Sequence, residues 1–199
     1  MLTQQEIGRQ MIHILVGIIT VLLIHFQLLS PLAIFLIIIV GILASIVSKR
    51  INLPFFTFFL THFERDNEKN RFPGKGMIFF FIGVLLVVKL FPHDIAMASI
   101  MVLALGDSIS HLFGAQFGKI QNIFNKKSRK LFEGTLAGTV TGFLGALLFV
   151  PIPEAFLGSL IAMIAEVVKI DFNDKTLDDN LIVPLIAGTV MFLVRKFVV

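Results

Sequence analysis

From Gln10 to Ser48 the chain contains no Asp, Glu, Lys or Arg. A bilayer core takes about 20 helical residues, so this stretch is long enough for two spans, with Leu28-Leu29-Ser30-Pro31 a tight turn between them. The rest of the chain obeys the same rule. Only 15% of its 199 residues are charged and the mean hydropathy is +0.93, whereas a soluble domain carries about a quarter charged residues. The fold class this predicts is all-α, a polytopic transmembrane helical bundle.

On that ruler about seven spans are expected: Met11–Gln27, Pro31–Ser48, Gly76–Phe91, Ile95–Phe113, Thr135–Val150, Glu154–Val168 and Leu181–Phe197. Phe91-Pro92-His93-Asp94 and Pro151-Ile152-Pro153 read as further tight turns. No repeat or low-complexity segment divides the chain, so residues 1–199 are expected to form a single integral-membrane domain. Glu6 sits where a signal peptide would be basic and no small-x-small cleavage site follows, so the first apolar run reads as a retained span. There is no cysteine, which removes disulfides, thiol nucleophiles and cysteine metal sites. Trp and Tyr are also absent against 22 Phe, leaving Lys, Arg and Phe to mark the membrane interfaces. The net charge of +4 is no signal for nucleic acid.

The distribution of Lys and Arg predicts orientation. Arg9, the second-to-third, the fourth-to-fifth and the sixth-to-seventh loops hold fourteen of the seventeen; Lys89, Arg195 and Lys196 lie on the other side. By the positive-inside rule the N-terminus and the long charged loops are cytoplasmic. Every long polar loop then faces the compartment that holds nucleotides and magnesium.

One stretch does not fit mere membrane spanning: Gly106-Asp107-Ser108-Ile109-Ser110-His111, then Gly114 and Gly118, then a basic run (Lys126, Lys127, Arg129, Lys130) and Glu133-Gly134. An ionised Asp at mid-membrane costs about 2.5–3.5 kcal/mol, so Asp107 belongs near a helix end or beside a partner. On a straight helix His111, Gly114 and Gly118 fall within about 40° of Asp107, giving one face a carboxylate, an imidazole and two bare positions. Gly114-Ala115-Gln116-Phe117-Gly118-Lys119 is not a phosphate loop. It is one residue short, has no Ser or Thr after Lys119, and lacks a preceding strand.

Other polar groups gather at the same predicted depth. Glu64-Arg65 precede Pro73-Gly74, a turn into the third span whose free N–H groups suit an anion. Glu166 ends the sixth span, and Asp178-Asp179-Asn180 opens the seventh, more than an N-cap requires. Glu6, Arg9 and His13 share one helical face. The small-residue runs Gly134–Gly138–Gly142–Gly145 and Gly158–Ala162–Ala165 read as close-packing stripes at every position but Gly134 and Gly138. Magnesium takes one or two carboxylates plus phosphate oxygens, and phosphoryl transfer rests on positioning and electrostatics. The set therefore suits an enzyme that uses a nucleotide on a lipid. A transporter would instead carry polar groups near the bilayer midplane, where these spans are nearly bare.

In this order, the Asp107–Lys119 stretch, Lys130-x-x-Glu133-Gly134-Thr135 and Asp178-Asp179-Asn180-Leu181-x-x-Pro184 resemble the polyprenol (dolichol) kinase, phytol kinase and CTP-dependent diacylglycerol kinase family, here in a compact microbial form. The resemblance implies transfer of phosphate from CTP to a membrane lipid alcohol with Mg2+ or another divalent cation. The expected setting is a microbial cell membrane, with the active site cytoplasmic. It implies Asp107, Glu133 and Asp179 as metal ligands and Asp178 or Asp179 as the base. Lys127, Arg129, Lys130, Gly114, Gly118, Gly134 and Asn180 would lie at the nucleotide. Arg9, His13, Glu64, Arg65, Gly74, His111 and Glu166 are further candidates. The Asp-to-Glu-Gly portion is also similar to phosphatidate cytidylyltransferases, but those end in His-Gly-Gly and Asp-Arg-x-Asp where this chain has Asp-Asp-Asn. Cytidylyl transfer is the alternative, and a transporter or structural subunit the second.

Overall fold

The computed structural model describes residues 3–51, 54, 72–121, 131–168, 171–172 and 175–197, with 171, 172, 175 and 176 described by backbone alone. Seven helical stretches appear among them: α1 (Gln4–His25), α2 (Pro31–Ser48), α3 (Lys75–Leu90), α4 (His93–Phe117), α5 (Phe132–Ala146), α6 (Ile152–Val168) and α7 (Asp179–Phe197). Between α6 and α7 lies a hairpin of two two-residue strands, β1 (Asp171–Phe172) and β2 (Lys175–Thr176), paired antiparallel. Four of the helices, α1, α2, α4 and α7, are long and apolar enough to cross a membrane. The chain is a helical membrane protein.

Local chemistry accounts for the ends. Thr3 Oγ1 accepts from Glu6 N–H, and Ser30 Oγ accepts from Ala33 N–H with Pro31 at the first helical position, both ordinary N-terminal devices. Gly74, at φ 76°, starts α3 in a left-handed conformation that favours glycine. Pro151-Ile152-Pro153, expected as a turn, is the start of α6, whose first turn needs no proline N–H.

α4 is the central element: 78% of its apolar window is buried inside the bundle, against 17% for α2. α1, α5 and α7 pack on α4, α6 packs on α5 and α7, and α3 joins α7 to the outlying α2. Exposed apolar side chains such as Leu36, Val40 and Leu43 cover α2. The centre of α4 is not a plain α-helix, for Val102–Asp107 forms a π-helical turn ending at Asp107. Such turns loosen the backbone ladder and are common at functional sites. Thr141 of α5 reaches into this one, its hydroxyl 3.4 Å from the Leu105 carbonyl.

The α4–α5 seam is made by glycine. A Cβ on Gly138 would lie 2.6 Å from the Gly106 carbonyl oxygen and 2.8 Å from Ser110 Cβ, and one on Gly134 would lie 2.9 Å from Gly114 Cα. Bare positions on both sides bring the two backbones together, the usual basis of tight helix pairs in lipid.

Candidate active site

The polar end of the bundle collects four side chains from three helices. Asp107 and His111 come from α4, Glu166 from the last turn of α6 and Asp179 from the first turn of α7, and each offers a ligand atom within 4.8 Å of the others'. Asp107 and Glu166 are 7% and 1% exposed, so these carboxylates have left water. Two ionised carboxylates at that separation repel by on the order of 3 kcal/mol at an effective dielectric of 20. Such a group is stable only with a cation or bound protons to offset it. His111 Nε2 lies 3.6 Å from Asp107 Oδ1, an i,i+4 approach along the regular helix beyond the π turn.

Beside the cluster, the starts of α3 and α7 interlock. Lys75 Nζ lies 3.0 Å from Asp178 Oδ2. Asp178 Oδ1 accepts from the Asn180 backbone N–H at 3.2 Å and from its side-chain amide at 3.1 Å, and that amide also donates to the Gly76 carbonyl at 3.3 Å. Pro184, inside α7, has no N–H to give the carbonyl of Asn180 four residues back. That carbonyl lies against Gly83 of α3, where any Cβ would collide with it. A proline on one helix and a glycine on the other thus set the approach of the two elements.

Across the bundle, His13 of α1 meets Phe80 of α3 edge to face, ring centroids 5.3 Å apart. Its Nε2 is buried without a hydrogen-bond partner among the described residues, within electrostatic range of Asp107, Arg9 and Asp178. Arg9 donates to Glu6 at 2.8 Å.

Glu133, expected beside Asp107 as a second metal ligand, is not one of the four clustered groups. Its carboxylate accepts the backbone N–H groups of Lys119 at 2.9 Å and Ile120 at 3.1 Å. Its own backbone N–H, then those of Lys119 and Ile120, hold the carboxyl below the usual glutamate range. Next to this clasp Gln121 and Leu131 form an antiparallel bridge, and Phe132 N–H donates to the Ile120 carbonyl at 3.1 Å. Glu133 therefore ties the end of α4 to the start of α5. The acid was legible because it stands beside a helix N-terminus; its partner was not, because the partners are backbone amides.

The glycines expected at the nucleotide have close packing partners. Gly114 and Gly134 face one another across the α4–α5 seam, and a Cβ on Gly118 would run into Leu131. Asp178, Asp179 and Asn180 are brought together with Asp107, His111 and Glu166 at one end of the bundle, and Gly74 precedes Lys75 at the same end. Glu64, Arg65, Lys127, Arg129 and Lys130 lie outside the described residues. Lys75 is the group that sequence reasoning passed over: it was counted as a loop charge, and only contact with Asp178 distinguishes it.

Over 191 residues, 94% of this chain and 93% of the relative, the sequence is 30% identical to uncharacterized protein MJ1137 of Methanocaldococcus jannaschii. The chain belongs to the family of that protein. Members of the wider group to which it is similar are lipid kinases by name. The chain is 29% identical over 147 residues to CTP-dependent diacylglycerol kinase 1 of Schizosaccharomyces pombe, covering 65% of this chain and 64% of that one. It is 30% identical over 133 residues to a probable phytol kinase, chloroplastic, of Triticum aestivum, covering 60% of this chain and 44% of that one. It thus spans less than two thirds of either kinase. No family model matches the chain, and no solved structure does.

Proposed function

We propose that this family member is a lipid-alcohol kinase. It would move the γ-phosphoryl group of CTP to the hydroxyl of a membrane lipid, a polyprenol-type alcohol or diacylglycerol, at the cytoplasmic face. The observation that carries the reading is the convergence of Asp107, His111, Glu166 and Asp179 at one end of an otherwise apolar bundle. The names of the two kinase relatives support the reaction class, and that of the diacylglycerol kinase supports the choice of CTP.

The donor set fits a divalent cation. Three carboxylates supply hard oxygen ligands of the kind Mg2+ and Mn2+ take, and an imidazole is compatible with the second. Asp107, Glu166 and Asp179 would hold it, with His111 as fourth ligand or as a hydrogen-bond partner of Asp107. When bound, such an ion neutralises charge on the phosphate oxygens of the nucleotide. The chain's own groups do the remainder. Lys75 and the positive end of the α3 dipole favour negative charge beside the cluster. Lys127, Arg129 and Lys130 are retained as triphosphate contacts, since they follow in sequence from the α4 end that Glu133 ties down. Asp178 stands outside the clustered four, oriented by Lys75 and Asn180, and is the candidate to take the hydroxyl proton. The lipid oxygen bonds to the γ-phosphorus, the bond to the β-phosphate oxygen breaks, and CDP leaves. The lipid tail stays in the membrane.

The test is transfer of label. Purified protein in lipid nanodiscs receives Mg2+, a set of lipid alcohols, and CTP labelled on either the γ or the α phosphate. Kinase chemistry gives labelled lipid only from the γ position. Label arriving from the α position alone, with phosphatidate supplied as acceptor in parallel, means cytidylyl transfer, and no label from either position, across all alcohols and phosphatidate, rejects both.

A further inference from the structure

At the end of the bundle remote from the clustered carboxylates, Arg195 near the end of α7 holds two acids from two other helices. Its Nε and Nη2 donate to Glu154 Oε1 and Oε2 at 3.0 and 2.7 Å, and its Nη1 and Nη2 donate to Asp94 Oδ1 and Oδ2 at 3.2 and 2.6 Å. Asp94 lies in the first turn of α4 and Glu154 in the first turn of α6. Glu154 is 1% exposed. All four acceptor oxygens are used by one planar guanidinium, a geometry that a lysine cannot reproduce.

The three helices joined by this fork are the three that carry the cluster. α4 bears Asp94 at one end and Asp107 with His111 toward the other; α6 bears Glu154 and Glu166; α7 bears Arg195 and Asp179. At the cluster end Asp107, His111, Glu166 and Asp179 bring ligand atoms within 4.8 Å of one another. At the far end the same helices are held in one register by bidentate bonds. α6 runs unbroken from Glu154 to Glu166, and the π turn of α4 and the proline-bearing stretch of α7 stay packed against it and each other, so fixing the far ends limits how α4, α6 and α7 slide or splay where the carboxylates meet. We infer that Arg195, with Asp94 and Glu154, is a remote positioning group that sets the spacing of Asp107, Glu166 and Asp179.

The inference rests on the proposed cation site only for one of its two readouts. Because the chain has no cysteine, Phe117→Cys and Val168→Cys introduce two spin labels at exposed positions at the cluster ends of α4 and α6. Dipolar EPR in nanodiscs then reads the α4–α6 separation, and Mn2+ titration reads cation affinity. Arg195→Ala is compared with the double variant Glu154→Leu/Arg195→Met. The double variant removes the fork without leaving a buried charge unpaired, and such apolar replacements commonly keep or raise stability. The expected result is a single narrow distance in the parent and a broadened one in both variants. Mn2+ affinity should fall about tenfold, the low end of what losing a ligand's supporting contact costs, even where the double variant unfolds at the parent temperature. An unchanged distance in both variants overturns the inference, as does a double variant that recovers distance, affinity and melting temperature together. If the parent binds no Mn2+ yet the distance broadens, the positioning role stands and the cation reading falls. If Mn2+ binds the parent, is lost in Asp179→Asn and is indifferent to the fork, the cation reading stands and the positioning role falls.

Discussion

Lys75 Nζ sits 3.0 Å from Asp178 Oδ2, joining the first residue of α3 to the residue ahead of α7. As a partly buried ion pair it contributes on the order of 1 kcal/mol to stability. Its larger effect is on geometry, since Asp178 in turn holds the Asn180 amide. Lys75→Ala is expected to lower CTP-dependent lipid phosphorylation by about a hundredfold, comparable to losing one electrostatic donor at a reaction centre. The melting midpoint in detergent should move little. A loss of activity that merely tracks the loss of folded protein would refute a direct role.

Glu166 and Asp179 approach Asp107 from different helices. Glu166→Gln and Asp179→Asn should each raise the Mg2+ concentration for half-maximal activity at least about tenfold, and Mn2+ binding should weaken in step. Chelating the divalent cation should abolish activity and its return restore it. Mg2+-independent turnover in either variant would contradict the assignment.

Gly138 and Gly76 offer a contrast between crowded and open glycines. A Cβ at Gly138 would lie 2.6 Å from the Gly106 carbonyl oxygen, whereas one at Gly76 meets, among the described residues, only the Asn180 amide nitrogen at 4.0 Å. Gly138→Ala should destabilise by about 1–3 kcal/mol through overpacking, outweighing the ~1 kcal/mol that alanine gains over glycine in a helix. Gly76→Ala should leave the melting midpoint unchanged or slightly raised. Thermal unfolding in one detergent compares the two directly.

The clasp made by Glu133 has a defined pH direction. Its carboxyl is held below the usual glutamate range by N–H donors, so the folded state binds the proton less readily than the unfolded chain. The contribution is therefore present above the ordinary glutamate pKa and disappears as pH falls through the lower, folded value. Hydrogen exchange at Lys119 and Ile120, corrected for intrinsic rates, should lose protection on acidification in the parent. In Glu133→Gln the same amides should show protection independent of pH over that window, and a parent-like pH response there would assign the effect elsewhere.

How much was legible beforehand differs by kind of feature. The helix Pro31–Ser48 matches its expected bounds, because Ser30-Pro31 is a local start signal and the apolar run is uninterrupted. The glycine stripe on α5 was readable as a packing face, but Gly134 and Gly114 were also expected at a nucleotide, and spacing alone does not separate those roles. Glu166 was only a candidate, because an acid near a helix end has an ordinary explanation until the neighbouring helices are in place.

The sequence by itself determined the helical membrane class, the number of described helices and the bounds of α2, while the ends of the others lie up to several residues from where hydropathy put them. Lipid imposes its demand segment by segment, so hydropathy and end signals suffice for that. Tertiary structure alone decided that Asp107, Glu166 and Asp179 meet, that Glu133 serves backbone amides, that Lys75 holds Asp178, and that Arg195 binds Asp94 and Glu154 at the far end. Those pairings depend on how each helix is rotated and how closely it approaches its neighbours. That is set by the Gly138–Gly106 contact, the π turn before Asp107 and the Pro184–Gly83 fit, none of which leaves a period in the chain.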